Sequence, residues 1–279
     1  MIKIQDRTFD SERALYGQRD ACLVNCSFEG EADGESALKE SGNIKLTSCG
    51  FSLRYPLWHC SGFSAENCRM DEGCRAPLWY SSDGSFDGCL LGGIKTLREC
   101  SNISFSDCDI KSDEFGWFCR DISLKSCKLD SVYCFLRSSG LRLDDVTFNG
   151  KYSFQYVTNA EISNSSLDTK DAFWHSENVT VTNSIIKGEY LGWYSKNLTL
   201  VNCLISGAQP LCYCEGLRLI DCKTENADLC FEYSDVCADI CGSIVSVKNP
   251  LSGYINADSI GEIILADSKF ECSCKINEK

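Results

Sequence analysis

Five tryptophans share one position of a repeating pattern and are the residues best suited to hold a ligand: Trp58, Trp79, Trp117, Trp174 and Trp193. The residues before them form an apolar column, so the alternation of a strand places the indole rings on the outer face. Exposed aromatic rows hold sugar rings, extended chains or partner proteins. The alternative is that the strand phase is reversed, or that a loop covers the rings, which would make them a second layer of the core.

Three charged or titratable residues near the first tryptophans are candidates for catalysis. Glu12, Glu35, Arg54 and Arg75 occupy corresponding positions of successive repeats, so Glu35 and Arg54 are expected to be neighbours. One interpretation is an ion-pair ladder that covers an edge. The other adds His59, because an imidazole is easily tuned near neutral pH. In that interpretation Glu35, Arg54 and His59 are the catalytic candidates of a cleft.

No metal site and no cofactor are predicted. His175 is the only other histidine and lies six repeats beyond His59, roughly 29 Å away at the spacing of neighbouring strands. The two imidazoles therefore cannot share a zinc ion, and the cysteines recur singly rather than as ligand pairs. No glycine-rich phosphate loop is visible.

A period of 19 residues positions all of these side chains. It is clearest in one column: Cys89, Cys108, Cys127, Val146, Ser165, Ser184, Cys203, Cys222 and Cys241. Most repeats open with Asn, Asp or Gly, which tolerate the left-handed backbone that a corner needs. These opening residues are Asn43, Gly62, Asp83, Asn102, Asp121, Gly140, Asn159, Asn178, Asn197 and Gly216.

Each repeat predicts three short strands. Pairs of apolar residues with one residue between them, such as Ile122 and Leu124, have the period of a strand with one face inward. A polar corner residue, the cysteine column, a second apolar column and a polar loop follow, and then a third strand. We therefore predict an all-β fold, a single-stranded parallel β-helix (solenoid) of roughly a dozen 19-residue coils, with copies of each strand about 4.8 Å apart.

The chain is expected to form a single domain over residues 1–279. Residues 1–42 are the N-terminal coils, residues 43–234 the regular 19-residue coils, and residues 235–279 the irregular C-terminal coils and a cap. Solenoid ends expose strand edges, so a homo-oligomer is a further expectation.

The 21 cysteines are interpreted as buried free thiols. An odd number in a long chain without an export signal opposes a disulfide scaffold and predicts a reducing, cytoplasmic location. Val146 and Ser165 take the place of cysteine in its column, so the position requires small size rather than sulfur. A redox or metal role of the cysteines is the alternative.

Composition limits the partners. A net charge of −13 and a pI near 4.7 would repel the phosphates of nucleic acid, which is therefore not expected as a partner. No uncharged apolar stretch reaches the roughly 18 residues of a membrane span, so no membrane partner is expected either.

Two runs in the third strand carry a resemblance to a known family: Ala37-Leu38-Lys39-Glu40 and Tyr55-Pro56-Leu57-Trp58-His59. Over nearly its whole length the chain resembles the bacterial family DUF3737, which is grouped with the pectate-lyase-like right-handed β-helices. The resemblance implies the fold and its right-handed winding. It implies no activity, because the family has no established reaction. The polar corner column is similar to the asparagine ladder of those β-helices.

Two functions are open at this point. The first, which we favour, is a non-enzymatic binding or scaffold protein whose aromatic face holds a glycan or a protein partner. The second is a carbohydrate-active enzyme, a polysaccharide lyase, hydrolase or epimerase, with a carboxylate, arginine and histidine site on the third sheet.

Overall fold

Short parallel strands are the main regular element of the protein. The computed structural model describes residues 1–30 and 35–279, which group into two compact units, Met1–Arg142 and Leu143–Lys279. The fold is a right-handed parallel β-solenoid with about fourteen coils of about 19 residues, which confirms the predicted fold class. The single domain over residues 1–279 stays a prediction. Among the described residues, no helix is long and apolar enough to cross a membrane.

In the first unit, each coil contributes a strand to a first face and a shorter strand to a second face. The first-face strands are β1 (Ile2–Gln5), β3 (Arg19–Val24), β5 (Gly42–Thr47), β7 (Ser61–Glu66), β9 (Ser82–Asp87), β11 (Ser101–Ser106) and β13 (Arg120–Lys125). The second-face strands are β2 (Thr8–Phe9), β4 (Ser27–Phe28), β6 (Gly50–Phe51), β8 (Arg69–Met70), β10 (Leu90–Leu91), β12 (Asp109–Lys111) and β14 (Lys128–Ser131). A single 3₁₀ turn, η1 (Glu72–Cys74), follows β8. The division between the units falls within β15 (Ser139–Asp144).

The second unit repeats this arrangement until its C-terminal coils. Its strands are β16 (Thr147–Lys151), β17 (Thr158–Ser163), β18 (Ser166–Lys170), β19 (Glu177–Thr182), β20 (Ile185–Lys187), β21 (Lys196–Val201), β22 (Leu204–Ser206), β23 (Leu217–Glu225), β24 (Asp235–Ile240), β25 (Ser243–Lys248), β26 (Ser252–Ala257), β27 (Ser259–Ile264) and β28 (Lys275–Glu278). β23 spans both faces, and β25 pairs with β27 in a separate sheet. β24 pairs with β26 at a spacing of 17 residues, so the regular period ends here.

Within each unit, equivalent residues of successive coils lie directly beside one another. Ile103 is paired with Gly84 on one side and with Ile122 on the other. The N–H of Asp109 donates to the carbonyl of Cys89 at 3.0 Å. The predicted inward columns are accordingly buried, among them Phe51, Leu91, Ile110, Leu129, Phe148, Leu167, Ile186 and Ile205, and Leu57, Leu78, Leu97, Phe135, Phe154, Phe173 and Leu211.

The corner residues have the left-handed backbone that their types predict. The opening residues of the regular coils have φ between 51° and 67°. Their side chains also form a ladder, since Asn197 donates to Asn178 at 3.0 Å. A second ladder runs along the polar column at the other end of the same strands, where Asn202 donates to Asn183 at 2.9 Å. One ladder was expected from the sequence, and the structure has two.

The second ladder offers a direct test of the corner geometry. Replacing Asn183 (φ 50°) with alanine removes its hydrogen bond to Asn202 and strains a left-handed position, so we expect a loss of about 1–2 kcal/mol in the free energy of unfolding. Asn183→Gly should lose less, because glycine adopts this backbone without strain. Urea unfolding of the three proteins measures both effects, and equal stabilities would contradict a role for the ladder.

The prediction of a third strand in each coil is wrong, because this segment forms a pair of turns instead. The N–H of Lys39 donates to the carbonyl of Ser36 (3.1 Å), and Ser41 donates to Leu38 (3.2 Å). φ is positive at Leu38 and Glu40, the third residue of each turn, as in type II turns. We call this side of the coil the turn face.

The turns change which side chains point outward. Pro56 and Leu57 are buried, Trp58 is half-buried, His59 is exposed, and Cys60 is buried again. Two inward residues are therefore followed by two outward residues, whereas a strand would alternate singly. The spacing of the apolar column alone does not distinguish the two patterns, which is why the sequence predicted a strand.

The inner corners explain why cysteine and serine share columns. A backbone N–H points into the interior, and the side chain of the next coil accepts its hydrogen bond. Cys49 donates to the Sγ of Cys68 at 3.4 Å, and Cys119 donates to the Oγ of Ser138 at 2.9 Å. Cysteine and serine are small and accept this hydrogen bond, whereas the buried Val146 fills the same column without an acceptor. The position therefore requires small size, as predicted, and the acceptor explains why cysteine and serine are the usual choices. All 21 cysteines are free, and most are buried.

Candidate functional site

The five tryptophans lie on the outer side of the turn face and are half-buried. Each indole N–H donates to a backbone carbonyl of the following coil at 2.6–2.7 Å: Trp58 to Ala76, Trp79 to Lys95, Trp117 to Tyr133, Trp174 to Tyr190 and Trp193 to Gln209. Gln155 makes the same bond to Asp171 at 3.3 Å with its side-chain amide. The acceptor is always three residues before the next member of the column. Through these hydrogen bonds the tryptophans stabilise the loop of the following coil, a role that the sequence did not predict.

The rings also stack on one another. Trp58 and Trp79 are 5.1 Å apart and nearly parallel, and Trp174 and Trp193 are 5.4 Å apart. The guanidinium of Arg98 lies 5.0 Å from the ring of Trp79. The column thus combines the two predicted alternatives, since its rings lie outside the core but form a packed layer. Mainly ring edges, rather than ring faces, are left for a ligand.

A more exposed column lies directly beside the tryptophans, at the second outward position of the turn face. Tyr156, His175 and Tyr194 stack at 4.9 and 5.0 Å in the second unit, and Tyr80 stacks on His59 in the first. All have positive φ, which costs a large side chain roughly 1 kcal/mol or more. Of these rings, only His59 was selected from the sequence, as a catalytic candidate, and the tyrosines were not.

One cleft in the first unit is lined by two of the five predicted ligand-binding residues, Trp58 and Trp79. It has a volume of about 410 Å³ and is lined by Tyr55, Trp58, Arg75, Ala76, Trp79, Ile94 and Lys95. The ring of Tyr55 is tilted by 44° against Trp58, 5.3 Å away. Trp117, Trp174 and Trp193 do not line this cleft. We call it the aromatic cleft.

The 3₁₀ turn η1 positions one wall of the aromatic cleft. The carboxylate of Asp71 accepts a hydrogen bond from the N–H of Gly73 at 2.8 Å and so caps the turn. The turn ends at Arg75, which has φ 54° and belongs to the lining of the cleft. The two extra residues in the coil that opens at Gly62 are the sequence signal for this feature.

Two of the three catalytic candidates are neighbours across one coil step, and the third lies in the exposed column. Glu35 and Arg54 are paired by an isolated bridge, as predicted from the repeat. His59 stacks on Tyr80 at 4.9 Å in the exposed column. None of the three lines the aromatic cleft, and their catalytic role stays a prediction.

A larger and more polar cleft, of about 710 Å³, lies on the second face of the first unit. Its lining includes Arg69, Asp71, Leu90, Asp109 and Lys111. Acidic and basic side chains therefore gather on the second face as well as on the third, where the enzyme hypothesis placed its site. Within residues 1–30 and 35–279, no group of three His, Cys, Asp or Glu side chains could hold a metal ion.

Comparison with known families gives a match along almost the whole chain. The family described as "Protein of unknown function (DUF3737)" matches residues 2–277. The chain belongs to the DUF3737 family. No curated protein matches this DUF3737 chain.

Solved structures similar to this DUF3737 protein share little sequence with it. The A-module of mannuronan C-5 epimerase AlgE6 from Azotobacter vinelandii is 9% identical, with a TM-score of 0.41 over 98% of this chain and 87% of that one. The catalytic domain of a GH87 α-1,3-glucanase is 12% identical, with a TM-score of 0.32 over 99% and 64%. Tailspike protein 3 of bacteriophage CBA120 is 11% identical, with a TM-score of 0.32 over 99% and 51%. Similarity at this level carries no argument about activity.

Proposed function

We propose that this DUF3737 protein is a non-enzymatic binding protein that holds a glycan in the aromatic cleft. The observation that carries the proposal is the lining of the cleft: Tyr55, Trp58, Trp79 and Ile94 supply apolar surface, and the described lining contains no carboxylate and no imidazole. Hydrolysis of a glycosidic bond uses a pair of carboxyl groups, and the residue that most often transfers protons in enzymes is histidine. The lining therefore supports binding rather than catalysis.

The size of the cleft supports a glycan over a protein partner. Its volume of about 410 Å³ is in the range of small-molecule sites, which span roughly 300–1,000 Å³. The contact chemistry points the same way. Trp58 and Trp79 stack face to face, so they present ring edges, which are the electropositive part of an aromatic ring and attract oxygen atoms.

The alternative, a carbohydrate-active enzyme, has its best support in the polar cleft of the second face. Its carboxylates are Asp71, Glu72 and Asp109. Both oxygens of Asp71 are already engaged, however, by the hydroxyl of Ser52 at 2.6 Å and the N–H of Gly73 at 2.8 Å. This carboxylate caps η1, so we place the enzyme hypothesis second. The cytoplasmic location and the homo-oligomeric state are part of the proposal and rest on the sequence alone.

Two matched tryptophan variants test the binding proposal. Trp79→Phe removes the indole N–H bond to Lys95 and part of the cleft wall, so we expect about tenfold weaker binding of a glycan identified in a panel of oligosaccharides. Trp193→Phe removes the equivalent bond to Gln209 in the second unit and should leave the affinity unchanged. Isothermal titration calorimetry measures both.

The two variants separate folding from binding, because each removes one indole hydrogen bond of the same length. Equal weakening by Trp79→Phe and Trp193→Phe would exclude the aromatic cleft as the site. A wild-type protein that binds no oligosaccharide of the panel, or that turns one over, would contradict the proposed function.

A further inference from the structure

We propose that the ligand of the aromatic cleft is acidic, a sugar that carries a carboxylate or sulfate group and pairs with Arg75. This inference rests on the proposed function of the cleft and names the class of glycan. Arg75 and Lys95 are the charged residues of the lining, and both are cations. Two cations in an apolar cleft stand out in a protein with a net charge of −13.

The side chain of Arg75 is available to a ligand. Among residues 1–30 and 35–279, no ion pair involves Arg75, and the residue is exposed. Lys95, in contrast, is paired with Glu114 at 3.4 Å. A guanidinium presents a planar fork of donors that matches a carboxylate or sulfate, so Arg75 suits recognition of such a group.

The backbone of Arg75 is held although its side chain is not. Its N–H donates to the carbonyl of Glu72 at 3.2 Å, and its own carbonyl accepts from the N–H of Lys95 at 2.9 Å. Its φ of 54° is one that glycine would adopt at lower cost. An arginine fixed in this way at the rim of the cleft presents its charge from a rigid base, which lowers the entropy lost on binding.

Other cations surround the two indole rings of the cleft. The Nζ of Lys39 lies 5.9 Å from the ring of Trp58, and the guanidinium of Arg98 lies 5.0 Å from that of Trp79. Positive charge therefore flanks both ends of the stacked pair and adds to the electropositive ring edges. Lys95 is already paired with Glu114, so a neutral sugar would leave the positive charge of Arg75 uncompensated in the cleft, whereas an acidic group compensates it.

The experiment compares three oligosaccharides of one length and linkage: a neutral glucan, its uronate form and its sulfated form. At low ionic strength we expect at least one acidic form to bind about tenfold or more tightly than the neutral form, and added salt should reduce this difference. Arg75→Gln should weaken acidic binding about tenfold and so bring the affinity for the acidic form close to the affinity for the neutral form. Arg69→Gln is the matched control, because it makes the same charge change on the second face of the unit.

The outcomes distinguish this inference from the proposed function. If the neutral and acidic forms bind equally and both depend on Trp79, the acidic ligand is excluded and the binding function stands. If none of the three binds, and no oligosaccharide of the wider panel binds, the proposed function fails. If Arg69→Gln weakens acidic binding as much as Arg75→Gln, the effect is one of overall charge and the role of Arg75 is overturned. The uronate and sulfate arms identify which acidic group is recognised.

Discussion

Replacing Phe173 with alanine is expected to lower the free energy of unfolding by about 3–5 kcal/mol. The ring is fully buried and stacks on Phe154 at 4.9 Å. The backbone of Phe173 is held by the N–H bond to Ser153 at 3.0 Å, so the coil cannot collapse into the cavity that the substitution leaves. Urea unfolding followed by circular dichroism measures the loss.

His175→Ala is the matched control for this prediction. His175 is two residues further along the same turns and has the same left-handed backbone, but it is exposed. Its replacement removes only the stacking on Tyr156 and Tyr194, for which we expect about 1 kcal/mol or less. Equal losses in the two variants would show that the inward column does not dominate the stability of the turn face.

Raising the pH above about 9 is expected to destabilise the protein steeply under reducing conditions. Burial raises the pKa of the Cys60 and Cys212 thiols from 9.0 to about 12. At a pH between these two pKa values, the two thiols lose their protons in the unfolded chain and keep them in the folded chain. The contribution of these thiols to the free energy of unfolding is therefore fully present below about pH 9. Above that pH it falls by about 1.4 kcal/mol per pH unit for each thiol.

The measurement is a series of urea unfolding curves from about pH 8 to about pH 11, which spans the window between the two pKa values. Cys60→Ser should make the decline shallower, because the hydroxyl does not ionise in this range. The serine should also keep the hydrogen bond that the Cys60 thiol donates to the carbonyl of Leu38 at 3.0 Å. A decline of unchanged slope in this variant would contradict the assignment.

The parts of the fold that depend on stacking were predictable from the sequence, because stacking repeats a residue type every 19 positions. Asn183 and Asn202 show this at the corners, and Leu167 and Ile186 show it in the core. The turn face was not predictable in the same way. A strand and a pair of type II turns can both place Leu57 inward and Trp58 outward, and the orientations of the flanking Pro56 and His59 distinguish them.

The candidate site was predictable in its residue types but not in its shape. Trp58 and Trp79 were expected on the outer face, and they line the aromatic cleft. Their indole bonds could not be foreseen, because the acceptor carbonyls lie in loops of variable length. The position of Arg75 likewise depends on η1. The sequence shows that this coil has two extra residues, but it does not show the conformation of the turn that they form.

The sharing of inner corners by cysteine and serine makes this chain suited to chemical labelling. Ser138 accepts the same kind of backbone hydrogen bond as Cys68. Serine can therefore replace cysteine in these columns and keep this hydrogen bond. Exchanging the corner cysteines for serine would leave a background with few competing sulfurs. A single thiol introduced at the rim of the aromatic cleft could then carry a fluorophore that reports on ligand arrival without disturbing the interior.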